Sequence, residues 1–150
     1  MQSWAPHVTV ATVIEERGRY LLVEEPDKFS GELVFNQPAG HLEPAETLAA
    51  AALRETLEET GWEIELLGIL GTALYTAPGN AITYYRTTFL GKPLRQVRAT
   101  PPDPDIHAVH WLDYEAIVAN SARMRSPLVL ASIAQHRRGL CYPLDLIYSP

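Results

Sequence analysis

Hydrophobic and polar residues change their period along the chain, and each change predicts a different kind of element. The N-terminal run HVTVATVIEE is rich in β-branched residues and ends at the turn signal Arg17-Gly18, before RYLLVEE, so the two runs predict a β-hairpin. LVFNQ predicts a short strand, and proline and glycine make PAGHLEPAE irregular. ETLAAAALRETLEET, residues 46–60, lacks both breakers and predicts a helix that Gly61 ends.

The second half of the chain returns to strand-like patterns before two further helices. WEIELLGILGTALYTA and AITYYRTTFLGKPL flank the turn PGNA, and IHAVHWL predicts another strand. DYEAIVAN and SPLVLASIAQHRRG predict helices with Asp113 and Ser126 as N-caps. The order of strands, helix, strands and helices predicts an α/β fold with a mixed sheet. No repeat or low-complexity linker interrupts it, so we expect one domain over residues 1–150.

The charge, the length of the apolar runs and the cysteine content limit the kinds of partner that the protein is expected to bind. The chain has 150 residues, 47% of them hydrophobic, and a formal charge of −6. This acidity disfavours binding to nucleic-acid polymers and to anionic membranes, because both repel negative charge. No run approaches the roughly 18 apolar residues of a membrane span, and no leader peptide is recognisable. Cys141 is the one cysteine, which excludes an internal disulfide and suits the cytoplasm.

The helix over residues 46–60 concentrates negative charge near its C-terminal end. Glu55, Glu58 and Glu59 are spaced so that they are neighbours on the helix surface. Mutual repulsion and the helix dipole both disfavour them there unless a cation binds, which points to Mg²⁺ or Mn²⁺, although a solvated helix face is the common alternative. Small Ala51 and Ala52 are expected to leave room for a ligand. The expected buried stripe on the other side comprises Ala49, Leu53, Thr56, Leu57 and Thr60.

The glutamates belong to a longer pattern. Its fixed positions, spaced as G-x5-E-x7-R-E-U-x-E-E-x-G-U, are Gly40, Glu46, Arg54, Glu55, Glu58, Glu59 and Gly61. This pattern resembles the Nudix box of the Nudix hydrolases, and all seven fixed positions match, whereas Thr56 and Trp62 replace aliphatic residues. Segments from Pro6 to Ile147 also resemble a phosphatase branch of that family.

The resemblance implies a fold, a reaction and roles for the box residues. The implied fold is an α/β/α sandwich around a mixed central sheet, and the implied reaction is attack of water on a phosphorus atom of a diphosphate, assisted by Mg²⁺ or Mn²⁺. Arg54 is expected to orient the carboxylates, together with Glu46. The expected metal ligands are the Gly40 carbonyl, Glu55, Glu58 and Glu59.

The general base is expected outside the helix. Relatives place an acid in the loop before the last strand, and Asp105 in TPPDPDIHAVHWL fits that offset better than Asp103, although aspartate is also common in turns. Glu58 is the alternative within the box. The expected catalytic residues are therefore Glu55, Glu58, Arg54 and Asp105.

The substrate is expected to be a small-molecule diphosphate. Relatives imply nucleoside di- and triphosphates, thiamin diphosphate or hydroxymethylpyrimidine diphosphate. The expected binding residues are His41, Tyr84, Arg86 and Arg125, with Trp4 and Tyr75 as possible stacking partners. A Nudix-fold regulatory domain without catalysis is the main alternative, and an isomerase of isoprenoid diphosphates is another. Monomer and homodimer both remain open.

Overall fold

The computed structural model describes residues 3–150, in which a seven-stranded mixed sheet carries helices on both faces. The strands are β1 His7–Glu16, β2 Arg19–Pro26, β3 Leu33–Asn36, β4 Ala39–His41, β5 Trp62–Thr76, β6 Thr83–Gln96 and β7 Ala108–Asp113. The helices are α1 Leu48–Thr60, α2 Tyr114–Ala119 and α3 Pro127–Arg137, with short 3₁₀ turns at Ser121–Arg123 and Leu144–Leu146. None of the helices described within residues 3–150 combines the length and apolar character that a membrane span needs.

The hairpin strands β1 and β2 diverge soon after their turn. They pair only through Glu15 with Tyr20 and Glu16 with Arg19. Beyond that point β1 pairs with β4 and, in parallel, with β6, whereas β2 pairs with β3 and β7. Strand β5 lies antiparallel to β6. The segment from β3 to β4 therefore fills the gap between the diverging strands, which brings the start of the box beside the middle of the sheet.

The two faces of the sheet have separate apolar cores. Val10 on β1 packs with Ala51 and Ala52 of α1, on one face. Val13, which projects to the opposite face, belongs to a cluster that contains Ile117 of α2 and Ile133 of α3. The predicted α/β/α sandwich with a mixed sheet is therefore confirmed.

Capping residues fix the ends of α1. Thr47 begins the helix, because its hydroxyl oxygen accepts the Ala50 N–H at 3.0 Å. Gly61 ends it in the left-handed region at φ 76°, and its N–H donates to the Leu57 carbonyl. A side chain at position 61 would also come within 2.4 Å of the Arg98 carbonyl oxygen. The predicted end of the helix is confirmed, and its fixed length sets where the glutamates lie.

The buried face of α1 differs from the predicted stripe. Leu53, expected inside, is 41% exposed. The hydroxyl groups of Thr56 and Thr60 tolerate burial because they donate to the carbonyls four residues earlier, so a polar face packs on the sheet. The expectation that Ala51 and Ala52 leave room for a ligand was wrong, because both pack in the core. The buried residues of the helix are Ala51, Ala52, Thr56, Glu59 and Thr60.

Candidate active site

Arg54 is the centre of the acidic cluster on α1. Its Nε and Nη2 donate to the two carboxylate oxygens of Glu46 at 2.6 and 3.0 Å, a bidentate pair that fixes the guanidinium. Nη1 donates to Glu55 at 2.8 Å and to Glu58 at 3.3 Å, while Nη2 also reaches the His41 carbonyl at 3.1 Å. Hydrogen bonds to Glu46, and then to Glu55, raise the pKa of Arg54 further. The Arg54 guanidinium therefore hydrogen-bonds three glutamates and the last residue of β4.

Glu55 lies directly against the backbone of Gly40. A Cβ atom at position 40 would come within 2.2 Å of the Glu55 carboxylate, so no larger residue fits without displacing that carboxylate. Burial raises the pKa of Glu55, and the charges of Glu58 and Asp103 add to the rise, against the opposing effect of Arg54. The glycine of the box therefore makes space for a partly desolvated acid.

Glu59 is the most buried of the three helix glutamates, with 7% of its surface exposed. Its Oε1 accepts the Ala39 N–H at 2.8 Å. Burial raises the pKa of Glu59 to about 9, and the negative charges of Glu25, Glu55 and Asp103 add to the rise. The carboxyl group is therefore protonated at neutral pH, and a cation that binds there must displace the proton.

The carboxyl groups do not form a ready-made metal site. Within residues 3–150, no three acidic, histidine or cysteine side chains are grouped closely enough to hold an ion as they stand. Glu55 and Glu58 turn towards Arg54, and Glu59 turns towards the Ala39 N–H. The donor set nevertheless suits a hard divalent cation, because it consists of carboxylate oxygens, and burial, with a smaller effect of neighbouring carboxylates, raises the pKa values of Glu55 and Glu59. To share an ion, the carboxyl groups would have to turn away from Arg54 and from the Ala39 N–H.

The loop between β6 and β7 brings Asp103, rather than Asp105, towards the helix. The Asp103 N–H donates to the Glu58 carbonyl at 2.9 Å, and its charge helps to raise the pKa values of Glu55 and Glu59. Asp105 is exposed, and its N–H donates to the Asp103 carboxylate at 2.9 Å. The geometry favours Asp103 as the loop acid, and a catalytic role for Asp105 stays a prediction.

The expected substrate residues on the strands lie on the face of the sheet opposite the glutamates. Thr9 of β1 pairs with both His41 and Arg86, so all three side chains project to one face. The His41 ring lies 6.2 Å from the Tyr84 ring and its Nε2 lies 3.2 Å from Nδ1 of His7. Burial, followed by the charges of His7 and Lys28, lowers the pKa of His41.

Arg125 has a partner that the sequence did not reveal. Its guanidinium hydrogen-bonds the buried Glu25 of β2, and its N–H donates to the Phe35 carbonyl at 2.9 Å. Glu25 also contributes to the raised pKa of Glu59. Glu24 and Glu25 are adjacent at the end of β2, so their side chains point to opposite faces of the strand and one of them must face α1. This alternation was the sequence signal that could have identified Glu25.

A surface cleft of about 390 Å³ adjoins this region but does not contain the glutamates. It lies between the end of α1, the loop before β7 and β7 itself. Thr60, Trp62, His107 and Trp111 line it, and the two tryptophan rings meet edge to face at 5.7 Å. The cleft borders the loop that carries Asp103. Arg86 is not among the residues that line it.

Comparison with known proteins gives consistent similarities. The model of the NUDIX domain matches residues 4–132. The chain is 40% identical over 143 residues to phosphatase NudJ of Escherichia coli K12, covering 95% of this chain and 90% of that protein. A NUDIX hydrolase structure from Nitrosomonas europaea superposes with a TM-score of 0.93 at 39% identity, covering 97% of this chain and 98% of that one. The structure of a UDP-X diphosphatase shares the fold alone, with a TM-score of 0.71 at 18% identity over 93% of this chain and 66% of that one.

Proposed function

The chain belongs to the Nudix hydrolase family, whose members hydrolyse diphosphate-linked compounds. We propose that this protein hydrolyses such compounds with a divalent cation bound at the α1 glutamates. The proposed ligands are the Gly40 carbonyl, Glu55, Glu58 and Glu59, and the proposed ions are Mg²⁺ or Mn²⁺. Similarity to phosphatase NudJ supports this reading, as does the complete box.

One observation carries the proposal. Two acids of α1 are packed against β4: the Glu55 carboxylate lies against the Gly40 backbone, and the buried Glu59 accepts the Ala39 N–H at 2.8 Å. Burial raises the pKa of both groups. Stability alone does not explain Glu59, because a buried carboxyl group costs free energy and no cationic side chain in residues 3–150 pairs with it. A bound divalent cation would offset that cost and would reduce the repulsion between the carboxylates.

The residues of the chain divide the reaction between them. Glycine at position 40 lets the Glu55 carboxylate approach the backbone, and Arg54 orients the Glu55 and Glu58 carboxylates through Nη1. A bound cation would neutralise phosphate oxygens and lower the pKa of water. A loop acid would accept the proton of the attacking water. Asp103 is proposed for this role, because its charge acts on Glu55 and Glu59, whereas the predicted Asp105 is exposed.

The proposed substrates are small molecules that carry a diphosphate. Nucleoside di- and triphosphates, thiamin diphosphate and hydroxymethylpyrimidine diphosphate are the candidates, on the basis of the similarity to the phosphatase. His41, Tyr84 and Arg86 are proposed to contact the substrate on the sheet face opposite the glutamates. Arg125 is half-buried against Glu25, so its proposed contribution to binding requires that pair to open.

A phosphate-release assay tests this function. The purified protein is incubated with each candidate in chelator, in Mg²⁺ and in Mn²⁺, beside Glu59→Gln and the matched control Glu65→Gln, whose exposed side chain lies on β5. We expect release from at least one candidate, dependent on metal, lost in Glu59→Gln and retained in the control. A chain that binds these compounds but releases no phosphate with either metal would instead be a regulatory domain.

A further inference from the structure

Arg86 on β6 carries a buried positive charge that no acidic side chain neutralises. Only 5% of the residue is exposed, and within residues 3–150 no carboxylate lies within ion-pair distance of it. Nη2 donates to Gln37 Oε1 at 2.6 Å and Nε to Thr88 Oγ1 at 3.3 Å, and both partners are neutral. In the described part of the chain, Nη1 donates to no side chain. Such a charge is costly to bury, so stability does not explain it.

The position of Arg86 in the sheet relates it to the catalytic cluster. Thr9 pairs with Arg86 on one side and with His41 on the other, so two strand spacings, roughly 10 Å, separate Arg86 from His41. Gly40 precedes His41 and projects to the opposite face, where Glu55 lies against it. A molecule that holds its diphosphate near Gly40 can therefore extend past the end of β4 towards Arg86.

Aromatic rings occupy the same face beside Arg86. His7 pairs with Tyr84, and its ring lies 5.7 Å from the Tyr84 ring and 5.3 Å from that of His41. Asn80 donates to the Tyr84 hydroxyl at 3.0 Å, which fixes that ring from the β5–β6 turn. Aromatic surfaces with a few placed polar groups are typical of sites for planar organic ligands.

Two loops meet at the edge of this face. A Cβ atom at Gly79, in the β5–β6 turn, would lie 3.1 Å from the ring of Phe29, in the β2–β3 loop. The same turn carries Asn80, which contacts Tyr84. The β2–β3 loop therefore approaches the turn that contacts Tyr84.

We propose that this surface, the Arg86 face (His7, Gln37, His41, Tyr84 and Arg86), binds the organic part of the substrate as a planar heterocycle that carries hydrogen-bond acceptors. Nη1 of Arg86 donates to a ring carbonyl or ring nitrogen, while the aromatic edges contact the ring. This assignment rests on the hydrolysis proposed above and concerns the part of the substrate that is not hydrolysed. A charge-assisted hydrogen bond of this kind is worth roughly 10- to 100-fold in kcat/KM.

Arg86→Met, compared with Arg95→Met, tests the assignment. Arg95 lies on the same strand but is exposed and paired with Glu63. The probes are uridine diphosphate, which has a ring with acceptors, and methyl diphosphate, which has none. We expect Arg86→Met to lower kcat/KM for uridine diphosphate by 10- to 100-fold and to leave methyl diphosphate within about twofold. Tm should fall modestly, because the buried Gln37 Oε1 loses its donor. Arg95→Met should change none of these values.

Other results overturn the assignment. Equal losses of kcat/KM on both probes, or a fall in Tm with a uniform loss of kcat/KM, would show that Arg86 has a structural role. A similar loss of kcat/KM on inorganic tripolyphosphate would show that Arg86 binds an anion. No loss for uridine diphosphate would also contradict it. If Arg86→Met does not fold, Arg86→Lys keeps the charge but not the fork, and the same selective loss is expected. If the wild type hydrolyses neither probe, calorimetric binding of uridine monophosphate against ribose 5-phosphate decides ring recognition, and equal affinities would overturn the assignment. The phosphate-release panel described above decides the proposed function separately.

Discussion

Replacing Glu59 with glutamine should stabilise the protein in the absence of metal while it removes a ligand of the proposed metal site. Glutamine resembles the protonated carboxyl group, since its carbonyl oxygen can still accept the Ala39 N–H that Glu59 accepts at 2.8 Å. It cannot ionise, so it removes the free-energy cost of keeping this buried group protonated at neutral pH. The direction of the effect follows from the pKa of Glu59, which burial raises from 4.5 to about 9.

The magnitude follows from proton linkage. Between pH 4.5 and 9 the folded state holds a proton on Glu59 that the unfolded state has released, so the stabilisation present at low pH is lost as the pH rises. The slope is about 1.4 kcal/mol per pH unit, or roughly 2.7 kcal/mol between pH 6 and 8. For a chain of this length, that difference corresponds to a Tm change of about 5 to 11 °C.

Thermal and urea unfolding in chelator, at pH values from 5 to 9, measures the effect. The difference in unfolding free energy between Glu59→Gln and the wild type should increase with pH, whereas the exposed control Glu65→Gln should show no such increase. Saturating Mg²⁺ should raise the Tm of the wild type and of the control but not that of Glu59→Gln. A constant difference across the pH range would show that Glu59 ionises normally and that the burial reasoning is wrong.

Three further predictions concern neighbouring groups. Asp103→Asn should lower kcat by about 100-fold, the usual contribution of a general base, whereas Asp105→Asn should lower it by less than tenfold. If pH–rate profiles show the larger loss in Asp105→Asn, the order predicted from the sequence is the correct one. Gly40→Ala should displace the Glu55 carboxylate, because the added methyl group overlaps it at 2.2 Å, and metal titration should show weaker binding. Glu46→Gln should reduce metal affinity less than Glu59→Gln does, because the Glu46 carboxylate binds Arg54 and the Glu43 N–H rather than the proposed ion. Calorimetry that finds equal losses would contradict this division.

The sequence was sufficient to predict the central cluster, because its geometry is local. Arg54, Glu55 and Glu58 lie on one stretch of a regular helix, so their spacing determines that they are neighbours. The same regularity misled the prediction of the buried face. Thr56 and Thr60 count as polar in a hydrophobic pattern, yet their hydrogen bonds within the helix make them suitable for the core.

Contributions from distant segments could not be predicted in the same way. Glu25 and Asp103 influence Glu59 from a strand and a loop far away in the sequence, and their approach depends on how the sheet and the loop pack. The choice between Asp103 and Asp105 depends on a turn in which one accepts a hydrogen bond from the backbone of the other. Neither composition nor spacing contains that information.

The three-residue strand β4 has a consequence for inhibitor design. Gly40 faces the glutamates of α1, and the next residue, His41, faces the aromatic rings on the other side of the sheet. A compound could therefore occupy the aromatic side without chelating a metal, and so avoid the poor selectivity of chelators among metalloenzymes. Conversely, a library that varies only Tyr84 and Arg86 could alter ligand preference while the hydrolytic apparatus stays intact.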